Sequence, residues 1–164
     1  MTVPENEIKV GIAEYKLGME NYKLITVGLG SCVGTIVYDK KTRIGGLSHI
    51  MLPDSVPFEN KGALNNSKFA NLAIPEMVAK IKKKSPNADL VAKIVGGANM
   101  FNFNNGTGLS IGQRNVLAVR NSLASLKIPI ISEHVGGNSG RTMVVDLKDF
   151  KTMVRIVNHE IVYI

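Results

Sequence analysis

Apolar positions in the first third of this chain fall in short runs punctuated by Gly, Asn, Asp and Pro. Four such runs, at residues 9–15, 22–27, 33–38 and 44–51, are rich in β-branched and aromatic side chains and predict strands. The period then lengthens. Over residues 67–84, Ala70, Ala73, Ile74, Met77, Val78 and Ile81 recur three and four apart, on one face of a helix. Pro75 lies inside that pattern and, lacking an amide proton, is expected to kink or restart the helix. A second helix carries Val116, Val119, Leu123 and Leu126 on one stripe. It opens at "SIGQ", a capping box in which Ser110 and Gln113 satisfy each other's free amides. The segments "ADLVAKIVGGANMF", "KIPIISEHVGGNSG", "RTMVVDL" and "TMVRIVN" again read as strands. Strands first, then helices mixed with strands without regular βαβ alternation, predict an α+β fold. The expected architecture is a layered sandwich of mostly antiparallel or mixed β-sheets with helices packed on the outer faces.

The 164 residues suit a single domain spanning 1–164, able to bury about 70% of its unfolded surface without disulfide or metal. One cysteine excludes an internal disulfide and a Cys-Cys zinc site. The amino terminus "MTVPENEIKV" carries Glu5 and Glu7 and lacks the apolar core of a secretory signal. No apolar run approaches the roughly 20 residues that cross a bilayer. A cytoplasmic protein with a reduced thiol and no membrane insertion is therefore expected. The net charge of +7 raises the question of nucleic acid. The cations are dispersed, however, and their one run, "KIKKK" at 80–84, closes the first helix, where lysines offset its dipole. Without interleaved aromatics this argues against nucleic acid and leaves a field suited to an acidic protein.

The stretch "TVGLGSCVGTIVYD", residues 26–39, sets Cys32 after a glycine-rich bend and at the mouth of an apolar run. Thiols that merely fill space usually lie within apolar runs. Gly28 and Gly30 permit backbone conformations closed to other residues and close approach of a substrate. Such a bend also leaves backbone N–H groups unpaired, the donors an oxyanion needs. No Cys-x-x-Cys is present for dithiol redox chemistry, and Asp39 stands where a phosphate cradle would want a cation. A thiol needs a base, and the histidines are His49, His134 and His159. If residues 33–38 turn at "DKKTR" and return through Leu47, the hairpin sets His49 opposite a residue close to Cys32. The same letters fit a buried histidine bonded to backbone beside an inert cysteine. His134, next to Glu133, and His159, in the terminal "NHE", read as structural or surface residues.

Five blocks in order, "GLGSCVG", "LSHIMLPDS", "VGGANMF", "IGQRNV" and "SEHVGGNSGRT", resemble the chemoreceptor glutamine deamidase family, CheD, over residues 10–158. The resemblance implies a layered α/β fold like that of bacterial toxins that deamidate glutamines. It implies a cysteine hydrolase with Cys32 as nucleophile, His49 as base and Thr26 holding the imidazole, as a carboxylate does elsewhere. Cys32, its thiol lowered by a neighbouring imidazolium, would attack a receptor glutamine. Backbone N–H groups of the bend at Gly30, Ser31 and Cys32 would hold the oxyanion, and a thioester would hydrolyse to glutamate. Receptor methyl-ester hydrolysis follows as a second output, and no metal or organic cofactor is implied. The substrates are then cytoplasmic domains of methyl-accepting chemotaxis receptors, and the implied partner is a CheC-type chemotaxis phosphatase.

Phe101 and Phe103 in "MFNFNNGTG" stand where aromatic rings can anchor a partner, or fold under their own loop. In "GGNSGRT", Arg141 can fork onto a carboxylate or carbonyl and Asn138 can bind a substrate amide. A tight hairpin turn accounts for the same residues. Two departures from the family stand out: His134 replaces a frequent acid, and Pro75 interrupts a helix expected to run unbroken. The competing reading is a non-catalytic binding module that regulates a chemotaxis phosphatase. A nucleotide-binding reading lacks both the Gly-x-Gly-x-x-Gly and the Walker lysine motif.

Overall fold

All seven residues of the strand Val33–Asp39 are buried, so protein covers both of its faces. That strand is the middle of a three-layer arrangement. The computed structural model describes residues 6–60, 62, 64–100 and 108–164. In chain order its strands are β1 (Glu7–Lys9), β2 (Tyr15–Gly18), β3 (Lys23–Leu29), β4 (Val33–Asp39) and β5 (Gly45–Ile50). There follow β6 (Leu90–Gly96), β7 (Ile130–Val135), β8 (Arg141–Asp146), β9 (Thr152–Ile156) and β10 (Ile161–Tyr163). The helices are α1 (Ala70–Lys84) and α2 (Ile111–Ser125). One sheet runs β1-β3-β8-β9-β10 and the other β2-β5-β4-β6-β7. Pairing is antiparallel except β1 with β3 and β6 with β7.

Alternation along β4 and its neighbours builds two cores. Val33, Val37, Ile50 and Ile94 meet Ala73, Ile74, Met77 and Ile81 of α1 and Val119 and Leu123 of α2. Ile36, Leu47, Val91 and Val95 instead meet Leu24, Leu29, Met143, Val145 and Val154 of the other sheet. Period two therefore satisfies two apolar layers with one strand. The α+β layered class agrees with the sequence reading. Both helices share one outer face, that of the β2-β5-β4-β6-β7 sheet.

One local expectation is corrected, and of the two offered for Pro75 the restart is excluded. The run at residues 9–15 is not one strand: β1 ends at Lys9, β2 starts at Tyr15, and the chain changes sheets between them. Ala13 there takes a φ of 61°, and the Glu14 carboxylate accepts the Gly11 amide at 2.9 Å, so a turn interrupts the apolar pattern. At Pro75, α1 is not restarted but runs from Ala70 to Lys84. The missing bond costs about 3 kcal/mol. Burial of Ile74 and Met77 beside the proline contributes about 1.5–3 kcal/mol each, which offsets it.

The capping box forms as expected, with the Gln113 amide donating to Ser110 Oγ at 3.2 Å and the Ser110 amide to Gln113 Oε1 at 2.8 Å. Its first turn lies flush on the chain after β6. A Cβ on Gly112 would stand 2.4 Å from the Ala98 carbonyl oxygen and 2.6 Å from that of Gly97. Ala normally favours a helix over Gly by about 1 kcal/mol. Here the clash is with backbone and should win: Gly112→Ala is expected to lower stability by about 1–3 kcal/mol in urea denaturation, and a gain would contradict this packing.

Candidate active site

The two sheets meet at a hydrogen-bonded chain. Thr26 of β3 points inward and is buried, and its Oγ1 lies 2.7 Å from Nδ1 of buried His49 on β5. The same hydroxyl donates to the Val10 carbonyl at 2.8 Å. A hydroxyl has one proton, so with that proton given to Val10 it accepts from His49. Nδ1 therefore carries the imidazole hydrogen and Nε2 carries the lone pair. Nε2 is buried and makes no hydrogen bond to any described residue. Burial pushes the His49 pKa down to about 4, so the ring is neutral near pH 7.

The β4–β5 hairpin brings the Cys32 end of one strand beside the His49 strand. The register pairs Gly34 with His49, which makes Cys32 a diagonal neighbour of the histidine. Cys32 packs against the inter-sheet core, the side on which Thr26 and His49 meet. Opposite His49, Gly34 offers no side chain, and none fits: a Cβ there would stand 2.8 Å from Met143 Sδ and 3.1 Å from Leu29 Cδ1. The thiol is half-buried, and burial pushes its pKa up. The expectation that an imidazolium lowers the thiol pKa is thus not met in the resting site. Among the described residues His49 faces a neutral hydroxyl and no ion pair, so a buried cation has nothing to hold it. Thiol and imidazole are thus both neutral at rest.

Three bends interlock around the cysteine. The carbonyl of Gly30 accepts from the Ala98 amide at 2.8 Å, and that of Cys32 from the Gly97 amide at 2.9 Å. The Asn99 amide donates to Gly137 and the Gly136 amide to Gly96, both at 2.9 Å. Gly96 has a φ of 113°, and a Cβ on it would stand 2.3 Å from the Cys32 carbonyl oxygen, so only glycine fits there. Gly28 takes a φ of 73°, while a Cβ on Gly30 would lie 3.1 Å from Cγ of the Met100 side chain. The Gly30 amide is bonded to the Gly28 carbonyl at 3.1 Å, so it shapes the bend rather than donating to an oxyanion. The amides of Ser31 and Cys32 donate to no described acceptor and remain candidates for that role.

The other sequence-derived candidates fall elsewhere. Arg141 does fork, but inward: buried, it donates to the carbonyls of Gly96 at 3.0 Å and Gly136 at 2.6 Å. One N–H of each terminal nitrogen thereby ties β8 to the end of β6 and to the residue after β7, the carbonyl fork among the partners the sequence left open. Asn138 is exposed on the loop after β7, whose neighbour Gly137 bonds Asn99 near the cysteine bend. His134 is half-buried beside Arg141; burial first, and then that guanidinium, lower its pKa. His159 is exposed. Phe101 and Phe103 lie outside the described residues. No group of three or more metal-ligating side chains converges among the described residues.

Sequence reasoning missed Asn115. Its Nδ2 donates to the Ser31 carbonyl at 2.9 Å and the Met51 carbonyl at 3.1 Å, and the side chain is buried. A signal was present, since Asn115 stands at four-residue spacing with Val119 and Leu123 on the buried stripe of α2.

The hydroxyl, rather than the shape, of Thr26 should carry its contribution. Thr26→Val strands the His49 Nδ1–H and the Val10 carbonyl and is expected to cost about 1–3 kcal/mol in urea denaturation. Thr26→Ser keeps the bonds and loses one methyl, about 0.8 kcal/mol. Equal losses would contradict the relay.

A family model described as CheD chemotactic sensory transduction matches residues 51–156. The chain is 48% identical over 158 residues to a probable chemoreceptor glutamine deamidase CheD of Clostridium botulinum strain Eklund 17B, covering 95% of this chain and 96% of that protein. It is 50% identical over 153 residues to a protein of the same name from Clostridium botulinum strain Hall, covering 92% and 93%. The relatives' alignments are long enough to include Thr26, Cys32 and His49. With half of its residues shared along almost its whole length, and with its layered fold, the chain belongs to the CheD family.

Proposed function

We propose that the protein, acting as one domain, deamidates glutamine side chains of chemoreceptors through Cys32, His49 and Thr26. The observation that carries this reading is the bonding of His49: Nδ1 against the Thr26 hydroxyl that donates to Val10, and Nε2 without a partner among the described residues, on the face that Cys32 shares. The thiol sulfur attacks the glutamine side-chain carbonyl carbon while its proton passes to Nε2. The carbonyl oxygen becomes an oxyanion held by the Ser31 and Cys32 amides, each such donor being worth about 3 kcal/mol. The imidazolium formed in that step gives its Nε2 proton to the departing nitrogen, the C–N bond breaks, and ammonia leaves a thioester on Cys32. Water then loses a proton to Nε2 and attacks the thioester. The C–S bond breaks, the proton returns to sulfur, and a glutamate remains.

A receptor methyl ester presents the same acyl carbon with methanol as leaving group, so ester hydrolysis belongs to the same proposal. Asn138, exposed beside the lacing of the bends, is positioned to meet a substrate amide at the rim. The family resemblance extends the proposal to a CheC-type phosphatase as regulator.

Incubation with the cytoplasmic fragment of a methyl-accepting receptor should convert named glutamines to glutamate by mass spectrometry. Cys32→Ala should abolish conversion, and His49→Gln should slow it at least about 100-fold. His49 must be neutral to accept a proton and its pKa is lowered to about 4, so the rate should fall only as pH drops through that value. An acid limb in the ordinary imidazole range would contradict the buried neutral base. Intact phosphatase binding with no turnover by the wild type would favour the binding module.

A further inference from the structure

We propose that Asn115 is a positioning residue of this site, a clamp on α2 that holds the Cys32 bend and the His49 strand at a fixed separation. The proposal rests on the cysteine–histidine reading above. The β4–β5 ladder ends at Val33 and Ile50, one residue short of Cys32. Past that rung the chains part: the Met51 amide turns to the Lys68 carbonyl at 3.0 Å, and the Cys32 carbonyl turns to the Gly97 amide. This parting frees the Cys32 amide for an oxyanion and removes what would hold sulfur and imidazole in register. Asn115 spans the opening. One nitrogen bonds the carbonyl of Ser31, directly before Cys32, and that of Met51, two residues after His49.

Both neighbours are backbone carbonyls, which only accept, so the orientation of the amide is fixed with its nitrogen between them. Its Oδ1 is left buried without a partner. An apolar residue on this stripe would carry no such penalty, so the two donated bonds are what the position uses. Because the clamp belongs to α2, packing of that helix on the Gly97–Ala98 chain sets the geometry of the nucleophile from a third element.

Cys32 is the sole cysteine, so its alkylation by iodoacetamide reads the clamp without any receptor substrate. In the wild type, proton acceptance by His49 should speed alkylation at neutral pH relative to His49→Gln. Asn115→Ala should alkylate about tenfold more slowly and take on the pH profile of His49→Gln. Its kcat on receptor should fall about 10- to 100-fold with KM within about threefold. Val119→Ala, a cavity in the same helix, controls for lost stability and should alkylate as the wild type does. A wild-type rate and pH profile in Asn115→Ala, or an equal loss in Val119→Ala, would overturn the proposal. If Asn115→Ala does not fold, Asn115→Asp keeps the volume and removes the donors, with the same expectation. Wild-type NMR is independent of any variant: slow exchange of the two Asn115 side-chain protons supports the clamp, and solvent-like exchange overturns it. Assisted alkylation without deamidation would refute the deamidase reading and leave the clamp standing. Alkylation indifferent to His49→Gln would remove the pairing and the clamp together.

Discussion

A single hydroxyl proton decides how this molecule is arranged. Thr26 gives it to the Val10 carbonyl, which obliges the same oxygen to accept from His49 Nδ1. The accepting hydroxyl stands on one sheet and the donating imidazole on the other, so the bond that sets the tautomer also spans the interface between the layers. Sheet packing and base chemistry are therefore one constraint. The inter-sheet core of Leu24, Leu29, Met143 and Val145 with Ile36, Leu47 and Val95 keeps the two ends of that bond at a fixed separation. A carboxylate in place of the threonine would stabilise an imidazolium at rest; a hydroxyl leaves the ring neutral and its Nε2 basic.

That choice shapes the chemistry. A buried neutral pair carries no charge into the resting site, where an unpaired ion would be costly. In the proposed mechanism charge appears only when sulfur attacks, and it appears as a pair: an imidazolium at His49 and an oxyanion at the bend. The glycines serve this moment. Gly96 lets the Cys32 carbonyl approach the end of β6, and Gly34, opposite His49, leaves room for the Met143 and Leu29 side chains. The bend is thereby tied through its carbonyls, while the Ser31 and Cys32 amides face no described acceptor.

Much of this was legible in the sequence, and for local reasons. The capping box and the β4–β5 hairpin depend on residues close along the chain. The turn at "DKKTR" alone was enough to bring His49 opposite the neighbourhood of Cys32. What period two does not encode is which sheet a strand joins, and so residues 9–15 read as one strand when their turn carries the chain between sheets. For Arg141 the letters left carboxylate and carbonyl both open as partners; only the fold reveals the carbonyls of Gly96 and Gly136. The Val10 carbonyl had no signal at all, being a backbone atom. Asn115 had one, an amide on a buried stripe, but its partners come from two distant segments.

The central claim is the protonation state of one ring, and nitrogen-15 NMR of His49 in the wild-type protein tests it most directly. The account predicts a proton on Nδ1, a bare Nε2, and no second proton until the pH falls toward about 4. A ring protonated on both nitrogens at pH 6, or a neutral ring carrying its proton on Nε2, would contradict it.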